Sequence, residues 1–149
     1  MDPRDAIENL LYTYAEAIDA GDYDAIGALF AHGAITDADG NPIAVGAQAV
    51  TSLYQATTRK YEDGTPRTHH VTTNPLIELA DSQLSAVCRS RFTVFQQTDV
   101  LPLQPIIAGS YTDTFECVDG NWRFVERRMR PTLYGDLSQH LLIESMQKP

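Results

Sequence analysis

The hydrophobic period of the sequence changes from helical to alternating at Thr68, and this change constrains the fold more than any other feature. Before Thr68, apolar residues recur three and four positions apart, as on one face of an α-helix. After it, apolar and polar residues alternate, as in strands that bury one face. Helices that come first and strands that follow indicate an α+β domain with helices packed on one face of a sheet. A length of 149 residues suits a single domain over residues 1–149.

Three helices and one short hairpin are predicted in the first half. Pro3 suits the first turn of a helix, and Gly21 can adopt the positive φ that ends one. The turn Asp39-Gly40-Asn41-Pro42 separates two short strands. The predicted elements are a helix from Pro3 to Gly21, a helix from Tyr23 to Phe30, strands over 34–38 and 43–45, and a helix from Ala47 to about Tyr61.

Four long strands are predicted in the second half. Asp119-Gly120 between apolar runs is a strong hairpin signal, and the other connections are also short. Consecutive strands with short turns predict a mostly antiparallel meander. The strands are expected over 68–80, 84–98, 105–118 and 121–130. Beyond Pro131, spaced leucines are consistent with a last helix on the back of the sheet or on a partner.

The charge balance and the missing motifs exclude several classes of function. Twenty Asp and Glu residues against eleven Lys and Arg give a net charge of −9, which opposes binding to nucleic acid and to anionic membranes. There is no membrane-spanning apolar run, no recognisable signal peptide and no cofactor-binding motif. Two cysteines without a CxxC spacing suit a reducing cytoplasm. Any chemistry is therefore expected from pocket side chains, without a cofactor.

The stretch from Thr68 to Pro75 carries two adjacent histidines, His69 and His70. Adjacent strand residues point to opposite faces, so only one histidine can face a pocket and the pair cannot chelate one metal ion. No third ligand stands at a recognisable spacing, and no metal site is predicted. One histidine could serve as a general acid or base, because imidazole titrates near neutral pH. The alternative is a histidine that is bonded to backbone or simply exposed.

Asp19 is the second candidate, at the end of the first predicted helix. An acid at that end opposes the helix dipole, which suggests a partner elsewhere in the chain. A carboxylate that reaches a histidine fixes its tautomer and stabilises the imidazolium, so an Asp19–His70 pair could move a proton on a bound molecule. The alternative is a solvated aspartate beside the turn at Gly21.

Tyrosines and arginines complete the candidate binding residues. Tyr14, Tyr54 and Tyr111 fall on the inward faces of their elements, where a phenol can orient a carbonyl or hydroxyl group. The alternative for each is core packing. Arg89 and Arg91 share one strand face, where Arg91 could contact a ligand carboxylate or pair with acids at an interface.

These features together resemble SnoaL-like proteins of the nuclear-transport-factor-2-like superfamily, over about residues 5–130. The order and spacing of the motifs carry the resemblance more than any single motif does. The matching stretches are the two helices joined at Gly21-Asp22, the Asp39-Gly40 turn with Gly46, Thr68 to Pro75, Ala108 to Asp113, and Asp119 to Phe124 followed by Arg127.

The resemblance implies a cone-shaped α+β barrel, with three helices closing a strongly curved sheet around a deep pocket. It implies a core over 5–130 and a tail over 131–149, no cofactor, a small apolar organic ligand, and a homodimer formed through the sheet. Relatives include scytalone dehydratase, steroid isomerase and polyketide cyclases. Because one fold carries many activities, these remain expectations.

The catalytic pattern that this chain resembles most is that of scytalone dehydratase, whose acid and histidine match Asp19 and His70. This chain has Ile18 where that enzyme has a tyrosine, and the strand expected over 84–98 lacks its second pocket histidine. Three hypotheses follow: a cofactor-independent lyase or isomerase, a binding protein for an apolar ligand, and a small subunit resembling that of ring-hydroxylating dioxygenases.

Overall fold

Three helices form the first half of the chain, as the hydrophobic spacing predicts. The computed structural model describes residues 1–149. The helices are α1 (Pro3–Asp19), α2 (Tyr23–Leu29) and α3 (Ala47–Thr57). The carboxylate of Asp2 caps α1 by accepting the Arg4 N–H at 2.8 Å, and that of Asp22 caps α2 by accepting the Ala25 N–H at 3.0 Å. Gly21, with φ of 72°, makes the tight turn between α1 and α2.

Six strands form one mixed sheet against which α1 packs. The strands are β1 (Ala34–Thr36), β2 (Pro42–Val45), β3 (Thr68–Leu79), β4 (Ser85–Gln96), β5 (Gln104–Val118) and β6 (Asn121–Tyr134). Their order is β2-β1-β6-β5-β4-β3, so the sheet stays open with β2 and β3 at its edges. Only β1 and β6 pair in parallel, which confirms a mostly antiparallel α+β cone. The exposed face of the sheet carries Leu76 and Val87, and a homodimer through it stays a prediction.

The segment after β6 differs from the expected last helix. Residues 135–149, here called the closing segment, contain only a 3-10 turn at Glu144–Met146. The backbone of this segment bonds instead to the end of α3: the Leu142 N–H donates to the Thr57 carbonyl at 2.9 Å, and Thr58 pairs with Leu141. The same pairing ends α3 at Thr57, before the expected Tyr61, because Thr58 is already extended. The expectation of a terminal helix is therefore wrong.

The last strand also runs further than its alternating pattern suggests. It continues to Tyr134 where an end near residue 130 is expected. Pro131 lies opposite Gly109 at a shift in the β5–β6 register, where the ladder is already irregular. A proline is tolerated at such an irregular position, so it does not end the strand.

A fully buried ion pair lies between the sheet and α1. The Nε and Nη2 atoms of Arg127 each donate to the Asp113 carboxylate at 2.9 Å, and both side chains are 0% exposed. The guanidinium carbon lies 3.7 Å from the ring centre of Tyr111 and 4.3 Å from that of Tyr14. A buried charge with such contacts depends on its counter-ion, because water cannot replace it.

No helix is both long enough and apolar enough to cross a lipid bilayer.

Replacing Asp113 by Asn should destabilise the protein by about 3–5 kcal/mol, because the Arg127 charge would stay buried without a counter-ion. Urea unfolding of the purified variant measures this loss. Thr112→Val, at the exposed neighbouring position, is the matched control and should change stability by less than about 0.5 kcal/mol. A loss below about 1 kcal/mol in Asp113→Asn would show that the pair contributes little.

Candidate functional site

A cavity of about 200 Å³ lies between the sheet, α1, α3 and the closing segment. Most of its wall is apolar, with side chains such as Ile18, Phe92 and Met129. The polar side chains that reach it are Tyr14, Tyr54, Thr57, Thr58, His70, Tyr111 and His140. An apolar cavity with a few convergent polar groups is the usual form of a small-molecule site.

His70 and Asp19 meet at the wall of this cavity. The Nδ1 atom of His70 lies 2.6 Å from Oδ1 of Asp19. The same carboxylate accepts the His70 backbone N–H at 2.8 Å and the Thr68 hydroxyl at 2.8 Å. The imidazole is 6% exposed, whereas the neighbouring His69 is exposed on the other face of β3, as strand alternation predicts.

The environment of Asp19 fixes its charge and the tautomer of His70. Burial raises the pKa of Asp19, but the hydrogen bonds from His70 and Thr68 outweigh burial, so the pKa lies below its ordinary value. An ionised carboxylate only accepts hydrogen bonds, so Nδ1 of His70 must carry the proton. In the neutral form of the ring, the lone pair is then on Nε2, the nitrogen that can accept a proton.

Three tyrosines are among the polar residues of the cavity wall. Tyr14, Tyr54 and Tyr111 are all buried and line the cavity, and the hydroxyls of Tyr14 and Tyr54 share a hydrogen bond. Burial raises the pKa of each of the three phenols above its ordinary value. They therefore stay protonated at neutral pH and can act as hydrogen-bond donors.

His140 is a cavity residue that the sequence alone does not reveal. It belongs to the closing segment and is 6% exposed, and its ring centre lies 6.4 Å from that of His70. Burial, with the nearby His70 of β3 acting in the same direction and Asp19 of α1 opposing it, lowers the pKa of His140 to about 3. His140 is therefore neutral at physiological pH. Its position depends on the pairing of residues 141–142 with 57–58, which no local pattern indicates.

Arg91 does not reach the cavity. It is exposed on the outer face of the sheet, while Phe92, the next residue in β4, is 6% exposed and lines the cavity. Strand alternation places these two side chains on opposite faces. The expectation that Arg91 contacts a ligand in this cavity is therefore corrected. Cys88, on the inner face of β4, is fully buried, and burial raises its thiol pKa to about 11, as suits a packing role.

No group of three or more His, Cys, Asp or Glu side chains comes together in a way that could hold a metal ion. His70 and His140 are not joined by a hydrogen bond to each other, and Asp19 is occupied by three donors from β3.

Comparison with known proteins gives a family and a set of similar folds. The family model of the SnoaL-like domain matches residues 1–128. A crystal structure from Novosphingobium aromaticivorans DSM 12444, described as a candidate scytalone dehydratase, is 26% identical with a TM-score of 0.69, covering 89% of this chain and 86% of that one. No curated protein matches the sequence.

Two further solved structures share the fold. An NTF2-like protein with a cystatin-like fold, from Novosphingobium aromaticivorans, is 20% identical with a TM-score of 0.70, covering 86% of this chain and 80% of that one. A hexachlorocyclohexane dehydrochlorinase from Novosphingobium barchaimii LL02 is 21% identical with a TM-score of 0.67, covering 88% and 87%. These matches confirm the resemblance drawn from the motifs.

The low pKa of His140 predicts a pH-dependent loss of stability. The unfolded chain takes up this proton near pH 6.5, whereas the folded protein does so only near pH 3. The contribution of His140 is therefore complete above pH 6.5 and is lost as the pH falls, by up to about 1.4 kcal/mol per pH unit. In urea unfolding between pH 6.5 and 4, His140→Gln should lose stability less steeply than the wild type.

The exposed His32 offers the matched control, since His32→Gln should keep the wild-type slope. Equal slopes for the wild type and His140→Gln would contradict the neutral state of the buried His140.

Proposed function

Because the chain belongs to the SnoaL-like domain family, we propose that it is a cofactor-independent lyase or isomerase for a small apolar molecule that carries a carbonyl group. His70 is the base in this proposal and Asp19 is its partner. The single observation that carries it is the 2.6 Å contact between His70 Nδ1 and Asp19 Oδ1 at the wall of an apolar cavity. A partly buried acid–histidine pair of this kind is the minimal arrangement for moving a proton at neutral pH.

The shared chemical step is removal of a proton from the carbon beside the carbonyl. Nε2 of His70 takes the proton, and the electron pair of the C–H bond moves toward the carbonyl to form an enolate. In a lyase, this pair then expels a leaving group from the next carbon and leaves a double bond. In an isomerase, the imidazolium returns the proton to a different carbon. One positioned base contributes a factor of about 10² to 10⁴ in rate.

Asp19 supports this step through charge and orientation. Its carboxylate holds Nδ1–H in place and attracts the imidazolium that forms when Nε2 takes the proton. The hydrogen bonds from the Thr68 hydroxyl and the His70 backbone hold the carboxylate itself in one orientation. The base is thus oriented before any ligand arrives, which lowers the cost of reaching the transition state.

The tyrosine wall supplies donors for the carbonyl oxygen. In the hydroxyl pair of Tyr14 and Tyr54, one proton forms the shared hydrogen bond and the other stays available to a ligand. Tyr54 or Tyr111 polarises the carbonyl in this proposal, and the donor stabilises the negative charge of the enolate. The surrounding apolar wall strengthens such a contact, because little water competes for it.

The apolar lining also favours a second candidate, a protein that binds an apolar ligand without converting it. The cavity wall is mostly hydrocarbon, which suits binding whatever the polar groups do. The two functions differ in one observable, the loss of a proton from the bound molecule. A test of proton removal therefore separates them without knowledge of the natural substrate.

Exchange of hydrogen for deuterium is that test. The probe is 2-tetralone, a small bicyclic ketone, dissolved in deuterated buffer with the protein and followed by proton NMR. The wild type should accelerate exchange beside the carbonyl above the buffer rate, and His70→Ala should lower the acceleration by about 10²-fold or more. Asp19→Asn should lower it by at least about tenfold, because the carboxylate no longer holds the histidine or its charge.

His69→Ala is the matched control, since His69 lies next to His70 but is exposed on the other face of β3. It should exchange the probe at the wild-type rate. Exchange that His70→Ala leaves unchanged would contradict the role of His70. Saturable binding of the ketone with no accelerated exchange would favour the binding protein.

A further inference from the structure

His140 is held at the cavity by backbone contacts around it. The Arg59 N–H donates to the His140 carbonyl at 2.8 Å, and the carbonyl of Gln139 accepts hydrogen bonds from the side chains of Tyr61 and Gln96. Leu137, three residues earlier, is 2% exposed and anchors the start of the closing segment. The Nδ1 atom of the His140 imidazole makes no hydrogen bond and takes no part in this anchoring.

A buried polar group without a partner costs free energy, so its presence calls for an explanation. Nδ1 of His140 is buried and has no hydrogen-bond partner. An orphaned acceptor is tolerated more often than an orphaned N–H donor. The neutral ring therefore favours the tautomer with a bare Nδ1, which places its single proton on Nε2 at the other side of the ring.

We propose that His140 is a ligand-binding residue of this cavity, and that its Nε2–H donates a hydrogen bond to an oxygen atom of the bound molecule. The inference rests on the proposed function for the carbonyl-bearing class of ligand. It extends that function by adding a residue from the closing segment that recognises the oxygen. A carbonyl oxygen has two lone pairs, so His140 and a tyrosine hydroxyl can both donate to it.

The two histidines then have opposite tasks in one cavity. In its neutral form, His70 presents an unprotonated Nε2, because the Asp19 carboxylate holds the proton on Nδ1. His140 presents a proton because no group in the protein stabilises one on its Nδ1. With ring centres 6.4 Å apart, the two side chains can contact adjacent parts of one small molecule, an acidic C–H and a nearby oxygen. The ligand class is therefore an apolar molecule with an oxygen atom on the carbon next to the acidic C–H.

The arrangement predicts that the cavity binds a ketone more tightly than a hydrocarbon with the same carbon skeleton. The probes are 2-tetralone and its parent hydrocarbon tetralin, and the quantity is the ratio of their association constants from calorimetry. Taking the ratio cancels the contribution of the shared hydrocarbon frame. His140→Leu should lower the ketone-to-hydrocarbon ratio by roughly 3- to 10-fold, the value of one hydrogen bond. His140→Gln, which keeps an N–H donor, should lower it less.

Nitrogen-15 NMR of the histidine rings in the free protein gives a second readout. His140 should appear as the neutral Nε2–H tautomer, and His70 as the Nδ1–H tautomer in the same spectrum. Addition of 2-tetralone, but not of tetralin, should shift the Nε2 resonance of His140. The exposed His69 serves as the internal control and should not respond to either probe.

The inference is overturned if His140 is the Nδ1–H tautomer, if neither probe binds the wild type, or if His140→Leu keeps the affinity ratio within twofold. If His140→Leu fails to fold, His140→Gln and the wild-type spectrum still decide the question. Failure here is distinct from failure of the proposed function, which the exchange assay reads through His70. If His140→Leu leaves the ketone-to-hydrocarbon affinity ratio unchanged while exchange still depends on His70, only the role of His140 is contradicted.

Discussion

The carboxylate of Asp19 is the contact on which the rest of the site depends. It lies at the end of α1 and accepts three hydrogen bonds from the first residues of β3, two of them from His70. One side chain thus joins the helical half of the chain to the sheet and sets the tautomer of the imidazole. Hydrogen bonds to a charged group are stronger than those between neutral groups, so these three bonds hold α1 against β3 firmly. They also hold the imidazole of His70 in one orientation.

The closing segment is the second constraint, because it completes the cavity. It pairs with Thr57 and Thr58, ends α3 early and brings Leu137, His140 and Leu141 to the wall. Without this wall the cavity would be open to solvent on that side. Enclosure is what keeps His140 neutral, since burial is the main cause of its lowered pKa. The fold of one short segment therefore controls both the shape and the protonation of the site.

Local rules of sequence predict one half of this site and not the other. Asp19 stands out because an acid opposes the dipole at the end of a helix, and His70 is separated from His69 by strand alternation. The prediction for Arg91 is wrong because alternation along β4 places its side chain on the exposed face and that of Phe92, the next residue, at the cavity. The charge of a side chain does not indicate which face of a strand it occupies. His140 cannot be found from sequence, because its place depends on a non-local pairing with the end of α3.

The cavity combines polar groups whose protonation states differ because their surroundings differ. Asp19 is held ionised by three donors, while His140, whose Nδ1 has no hydrogen-bond partner, is held neutral by burial. Burial also favours the neutral form of Tyr14 and Tyr54, so the two phenols keep their protons. Separating protonation states in this way is how a site obtains a base and hydrogen-bond donors at one pH. Under the proposed function, the apolar wall would therefore contribute to the chemistry as well as to binding, because it shifts these protonation states.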